Sequence, residues 1–329
     1  MKIDFADWFE EKPEKVLMGI ELELFLFDSK TKQPLRDMGI IEQVVKDLPW
    51  NVYRDYYPHQ LEIRTDPFDN PEDVIKQTKQ LYTTASKELR KHGIFIIPAP
   101  NITTDSGYMW CGMHVHLSYP DRKQTAPYWN KAMGMYPFIL SLADHTKNFE
   151  VNELNAGERI SSSRHIGIPY LHKPDFLRGN GGDRKFRDVI LSKEITEEHG
   201  EGRHRLVKPN TIEFRIFDTP SLLSTYESMV YMMFNLASYM KINNPMVKMI
   251  EENSGQTQHL LEITRRYISS QRYAVNKIFH KLNTDVCDDV SEYFKIPFDR
   301  KTQFEFREEL GLNANVNGYL SMAIEGGWL

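Results

Sequence analysis

Cysteine is nearly absent: Cys111 and Cys287 are the two thiols in 329 residues. A disulfide framework is therefore excluded as the source of stability, and a reducing, cytoplasmic setting is expected. Any apolar run near the ~20 residues needed to cross a bilayer is also missing. The segment Met1-Lys2-Ile3-Asp4-Phe5 has no basic stretch leading into an apolar core, so no secretory leader is expected there. Basic excess is lacking too. A net charge of -5 and a pI near 6.1 argue against a nucleic-acid-binding surface. Internal repeats, low-complexity tracts and a composition shift that would mark a linker are not found. What is present is ordinary for a globular chain: 40% hydrophobic and 26% charged residues, in a length that suits one large domain or two modest ones.

The first half alternates strand and helix patterns. Residues 16–27 read as a strand and 61–65 as another. Asp69-Asn70-Pro71 offers a cap with proline in the first turn, opening a helix that runs to Lys91-His92 before Gly93 stops it. Residues 94–97 and 113–118 read as further strands, 127–147 as a helix, 155–210 as a long irregular stretch, and 211–217 as the last clear strand. Helices are expected over 227–240, 258–282 and 302–310. Helices around an antiparallel sheet give an α+β fold.

Four of these strands share one polarity pattern. Side chains two apart in a strand lie on the same face. In Ile20-Glu21-Leu22-Glu23-Leu24-Phe25-Leu26 the even positions form a dry face, and Glu21 and Glu23 lie side by side on the other. The same rule pairs Glu62 with Arg64, His114 with His116, and Glu213 with Arg215. A solvated sheet face explains one such strand, but it usually draws Lys, Thr, Ser and Gln rather than Glu and His. Adjacent carboxylates repel unless a cation lies between them. Carboxylate oxygens with one or two imidazoles suit Mg²⁺ or Mn²⁺ better than structural zinc. Arginines beside them are suited to carboxylate or phosphate oxygens, which together is the equipment of phosphoryl transfer.

Other features read more plainly. Arg178-Gly179-Asn180-Gly181-Gly182-Asp183-Arg184 lacks the Gly-Lys-Ser/Thr of a Walker A sequence and reads as a flexible loop. Cys111 has no His or Asp partner set by spacing and reads as a small buried residue. Arg159 and Arg164, flanking Ser161-Ser162-Ser163, read on their own as surface residues.

Taken together, the motifs resemble the glutamine synthetase and glutamate–cysteine ligase superfamily, in particular its carboxylate–amine ligase branch, the family 2 glutamate–cysteine ligase-like proteins. Gly19-Ile20-Glu21-Leu22-Glu23 is similar to the family's first metal strand, and Gln60-Leu61-Glu62-Ile63 to its second, with Asp55 seven residues upstream of Glu62. Gly112-Met113-His114-Val115-His116-Leu117-Ser118 is similar to its histidine strand, and Thr211-Ile212-Glu213-Phe214-Arg215 to its closing Glu-x-Arg strand. These matches keep the family's order over residues 19–220, and none is found beyond about 245. No counterpart of the N-terminal domain of dodecameric glutamine synthetases is read in these residues, so ammonia assimilation is not the expected activity.

The resemblance implies a curved, largely antiparallel sheet forming a funnel in a catalytic domain over 1–245, with 246–329 expected as a helical segment packed on it in one structural unit. It implies ATP and Mg²⁺ (or Mn²⁺), one ion on Glu23, Glu62 and Asp55, the other on Glu21, His114 and Glu213. His116 would contact phosphate or the reacting carboxylate. Arg215 would steady the transferring phosphoryl group with Arg64 nearby, and Arg159 and Arg164 would contact nucleotide phosphates. The implied activity is an ATP-dependent carboxylate–amine ligase forming a γ-glutamyl-type amide through an acyl phosphate. A small carboxylate such as glutamate and an amine would be its substrates and a homodimer its assembly, with loop 178–208 a candidate for selecting between substrates. Alternatives are a guanidino-type phosphotransferase, which would yield no amide, and a metal-dependent hydrolase, which would need no ATP.

Overall fold

A computed structural model describes residues 4–120 (apart from 56, 105 and 106), parts of 128–135, short strands between 189 and 207, and 211–245, 286–296, 303–313 and 316–329. Eleven strands and six α-helices are defined there, after a short 3-10 helix at Phe5–Asp7. In chain order they are β1 (Leu17–Asp28), α1 (Met38–Val45), β2 (Val52–Arg54), β3 (Gln60–Arg64), α2 (Pro71–Lys91), β4 (Ile94–Ile97), β5 (Asn101–Thr104), β6 (Gly107–Trp110) and β7 (Gly112–Ser118). After them come β8 (Val189–Ser192), β9 (Thr196–Glu198), β10 (Arg205–Val207), β11 (Thr211–Asp218), α3 (Leu223–Tyr239), α4 (Val286–Phe294), α5 (Gln303–Glu309) and α6 (Val316–Glu325).

The main sheet has seven strands in the order β2-β3-β1-β7-β11-β8, with β4 pairing the far end of β1. Every pairing in it is antiparallel. β1 is long enough to serve three neighbours: residues 17–22 pair with β7, 21–25 with β3 and 25–28 with β4. This is an α+β architecture of helices on an antiparallel sheet.

Strand alternation divides the sheet into two faces. Ile20, Leu22, Leu24, Leu26, Leu61, Ile63, Met113, Val115, Leu117, Ile212 and Phe214 enter one large apolar core. α2 and α3 cover that face. α2 buries Val74, Ile75, Thr78, Leu81, Tyr82, Ala85 and Leu89, the stripe that a period of 3.6 produces. Its start is fixed by the Asn70 side chain, which accepts the Asp73 N–H at 2.8 Å, with proline in the first turn. Gly93, at φ +70°, turns the chain out of it. A hydrogen bond of 2.6 Å between the Thr78 and Tyr226 hydroxyls ties α2 to α3.

β11 carries a bulge. Phe214 pairs with Val115 and Phe217 with Met113, so Arg215 and Ile216 together stand opposite His114. Strict alternation would put Phe217 on the face of Glu213; the extra residue sends it into the apolar core instead. Asp218 then takes the position opposite Gly112.

On the other face a second apolar cluster gathers at one end. Phe25 and Phe27, next along β1 after Glu23, are buried with Ile97, Ile102, Cys111, Leu222, Phe306, Val316, Tyr319 and Met322. α5 and α6 thus close the Phe25–Phe27 end of the face that carries the glutamates.

Two expectations are corrected. The stretch 155–210 is not wholly irregular: β8 extends the main sheet beside β11, and β9 and β10 form a hairpin. These strands are only three or four residues long, too short for a readable alternation. The helix expected from 227 begins at Leu223, because Leu222 makes no side-chain cap to mark its start. The expected helix 258–282 and most of 127–147 lie outside the described residues. Among the described residues no helix is long and apolar enough to cross a membrane.

Candidate active site

The four strands with the repeated polarity pattern are consecutive in the sheet: β3, β1, β7, β11. Register aligns their polar positions. Glu23 stands opposite Glu62, Glu21 opposite Arg64 on one side and His114 on the other, and His116 opposite Glu213. Four strands thus set a row of carboxylates and imidazoles across one face, with Arg64 and Arg215 on its outer strands.

The row is closely spaced and dry. Glu21, Glu23, Glu62, His114 and Glu213 are all buried, Glu213 to 1% exposure. His114 Nδ1 lies 2.9 Å from Glu21 Oε2 and 3.7 Å from Glu213 Oε1, while its Nε2 lies 3.5 Å from Glu23 Oε1. Two sets of donor atoms result: Glu21, His114 and Glu213, and Glu23, Glu62 and His114. Within each set the ligand atoms lie within 4.8 Å of one another.

Backbone and neighbouring side chains hold the row in place. The Gly112 N–H donates to Glu23 Oε2 at 2.7 Å, and the Thr219 hydroxyl donates to the Glu23 carbonyl at 2.9 Å. Thr211 Oγ1 lies 3.0 Å from His116 Nδ1. The guanidinium of Arg64 donates through Nε to Glu62 and lies 3.6 Å from Glu21, and Arg215 donates through Nη1 to Glu213.

Electrostatics differ sharply along the row. Burial favours the protonated form of both Glu21 and Glu62. At Glu21 that effect is outweighed by hydrogen bonds and attraction from His114 and His116, and its carboxyl is held well below the usual range. At Glu62, burial and then repulsion from Glu21 dominate, with Asp55 and Glu23 adding to it against the pull of Arg64; its carboxyl is pushed up to about 8.

The donor set fits a divalent cation. Buried carboxylates this close need compensating positive charge, and oxygens with one imidazole match the preference of Mg²⁺ or Mn²⁺. One polar atom on the same face, Arg64 Nη1, is also buried without a hydrogen-bond partner among the described residues, and His116 Nε2 lies buried 3.5 Å from Glu21 Oε1.

Of the residues singled out in the sequence, Glu21, Glu23, Glu62, Arg64, His114, His116, Glu213 and Arg215 are therefore brought to one face. Asp55 follows β2, where its N–H donates to the Gln60 carbonyl at 3.3 Å, and its charge acts on Glu62. Arg159 and Arg164 lie outside the described residues, as does the glycine cluster 179–182. Cys111 is buried, 3.6 Å from Gln60 Nε2.

Sequence reasoning missed Thr211, although it precedes Glu213 by two and alternation puts it on the same face. It also missed Tyr53, whose three-residue strand offers no pattern to read.

No family model and no curated protein matches the sequence. The fold is similar to that of a bifunctional glutathione synthetase from Pasteurella multocida, with a TM-score of 0.52 at 11% identity. That match covers 95% of this chain and 53% of the synthetase, so the chain spans about half the length of that protein. A structure described as a novel glutamine synthase homolog gives a TM-score of 0.41 at 14% identity, covering 84% of this chain and 70% of that one. Over nearly its whole length, the chain shares its fold with the glutathione synthetase.

Proposed function

We propose that this chain is an ATP-dependent carboxylate–amine ligase, forming a γ-glutamyl-type amide from a small carboxylate such as glutamate and an amine. The observation that carries this reading is the row of buried carboxylates and imidazole on four consecutive strands, flanked by arginines. Glu23 and Glu62, with Asp55 beside them, would hold one Mg²⁺ or Mn²⁺, and Glu21, His114 and Glu213 the other. His114 suits the second set, since Nδ1 faces Glu21 and Glu213 and Nε2 can carry its proton toward Glu23. Bound there, the ions would supply charge neutralisation for the phosphate oxygens of ATP.

The chain's own residues supply the remainder. Arg215, on the β11 flank, steadies charge on the phosphoryl group as it passes from ATP to the substrate carboxylate. Arg64 and His116 turn buried donor-bearing groups toward the same face and orient the reacting carboxylate. The covered Phe25–Phe27 end keeps bulk water from one side, which protects an acyl phosphate from hydrolysis. The amine nitrogen then attacks the acyl carbon and phosphate leaves, so each turnover converts ATP to ADP and phosphate. Arg159 and Arg164 are assigned to the nucleotide phosphates by family resemblance. The catalytic unit is assigned to 1–245, with 246–329 packed on it, in a cytoplasmic homodimer.

The test is one assay: purified protein, Mg²⁺ or Mn²⁺, ATP and a panel of amino acids with amines, read by mass spectrometry. ADP with an amide is the expected product pair. AMP with pyrophosphate would exclude the acyl phosphate, and phosphorylated amine without amide would mean a phosphotransferase. Glu23→Gln and Glu213→Gln should each lower turnover by at least about a hundredfold, with the circular dichroism spectrum unchanged.

A further inference from the structure

Arg64 is held from three sides. Its backbone is pinned by Asn51, whose carbonyl accepts the Arg64 N–H at 2.8 Å and whose side-chain amide donates to the Arg64 carbonyl at 2.9 Å. Its Nε is committed to Glu62 and lies near Glu21. The third side is the ring of Tyr53, with the guanidinium carbon 4.4 Å from the ring centroid. Tyr53 pairs with Glu62 across β2 and β3, so it shares the face of the carboxylate row. A guanidinium on an aromatic face is attracted by the ring quadrupole and kept flat against it.

So restrained, the group still leaves one donor unspent: Arg64 Nη1 is buried without a hydrogen-bond partner among the described residues. A buried donor costs free energy unless something accepts from it. Neighbouring carboxylates are already engaged through Nε, so rotating Nη1 onto them would break the stack or that ion pair. Arg215 lies three strands away on β11, on the opposite flank of the row.

We propose that Tyr53 is a positioning residue that holds the Arg64 guanidinium with Nη1 turned into the site, making the β3 flank an anion subsite separate from that of Arg215. The ligand group there is an anionic oxygen, of a carboxylate or of a phosphoryl group. The proposal rests on the ligase reading for the ligand's identity, and on the Tyr53–Arg64 geometry for the subsite itself.

Calorimetry on the full chain with Mg²⁺ tests it, with inorganic phosphate and L-glutamate as separate probes and Mn²⁺ affinity measured alongside. Tyr53→Leu should weaken one probe about five- to tenfold, Tyr53→Phe should keep it within about twofold because the π face remains, and neither should move Mn²⁺ affinity. In an Arg64→Lys background, Tyr53→Leu should have no further effect, since the ring acts through the guanidinium. The probe that responds identifies the oxygen as carboxylate or phosphoryl. Should Tyr53→Leu fail to fold, Tyr53→Gln replaces it.

Equal binding of both probes by wild type and folded Tyr53→Leu overturns the proposal. So does equal loss in Tyr53→Phe, additivity with Arg64→Lys, a parallel shift in Mn²⁺ affinity, or a wild type that binds neither probe. A wild type that binds a probe in a Tyr53-dependent manner but turns over no ATP keeps the subsite and removes the ligase reading. Ligase activity that ignores Tyr53 does the reverse.

Discussion

At the scale of single residues, the row of acids is a set of unequal carboxyls, and that inequality governs how it takes up a cation. Glu21 is held ionised by His114 and His116, whereas burial and its acidic neighbours leave Glu62 protonated up to about pH 8. A metal ion requires the carboxylate, so binding below pH 8 must displace the Glu62 proton. Mn²⁺ affinity should therefore rise with pH between 6 and 8, by up to about tenfold per unit, and level off above. Calorimetry in buffers of different ionisation enthalpy should register about one proton released per ion at pH 6.5. Glu62→Gln should bind Mn²⁺ more weakly and with a much flatter pH profile. An affinity in the wild type that is flat from 6 to 8 would rule out Glu62 as the group that titrates. The face-sharing pairs behind this argument were legible in the sequence, since a period of two needs no tertiary knowledge. The direction of each pKa shift was not, because it depends on which strand lies beside which.

At the scale of elements, α2 and the carboxylate row occupy opposite faces of the sheet, so their contributions separate. Asn70 fixes the start of α2 by accepting the Asp73 N–H and donating to the Asp73 carboxylate at 2.9 Å. Asn70→Ala should cost about 1 kcal/mol of stability, seen as a lower urea midpoint at unchanged m-value. Mn²⁺ affinity should stay within about twofold, because no ligand strand is moved. A tenfold loss of Mn²⁺ affinity would mean that the helix start sets the geometry of the site. This helix was readable from end to end, from Asn70-Pro71 to Gly93, because its signals are local. The bulge in β11 was not: nothing in Thr211–Asp218 marks the point at which two residues face one on β7. Nor was α1 expected, nor the β5–β6 hairpin, both short elements without a strong period.

At the scale of the whole molecule, the C-terminal helices are tied to both faces of the sheet. Phe306, Val316, Tyr319 and Met322 bury Phe25 and Phe27 on the face that bears the glutamates. A few residues further on, Trp328 enters the large core on the other face, its ring 5.1 Å from that of Tyr82 and 5.4 Å from that of Tyr226. The Leu223 N–H donates to the Gly326 carbonyl at 2.9 Å, joining the start of α3 to this turn. The sequence reads these residues as a helical segment packed on the domain in one structural unit, but it does not reveal these contacts, because the partners in β1 and α2 lie more than 200 positions away. Shared burial on both faces argues that the segment and the sheet unfold together. Thermal unfolding should then show one transition, reported alike by far-ultraviolet circular dichroism and by tyrosine and tryptophan fluorescence. Trp328→Ala removes a side chain left 4% exposed and should cost about 3–5 kcal/mol, lowering that single transition as a whole. Mn²⁺ added to the variant should raise the same transition, since an ion bound by β1, β3, β7 and β11 stabilises whatever folds with them. Two separate transitions, with only the one insensitive to Mn²⁺ lowered by Trp328→Ala, would make the C-terminal segment an independent unit.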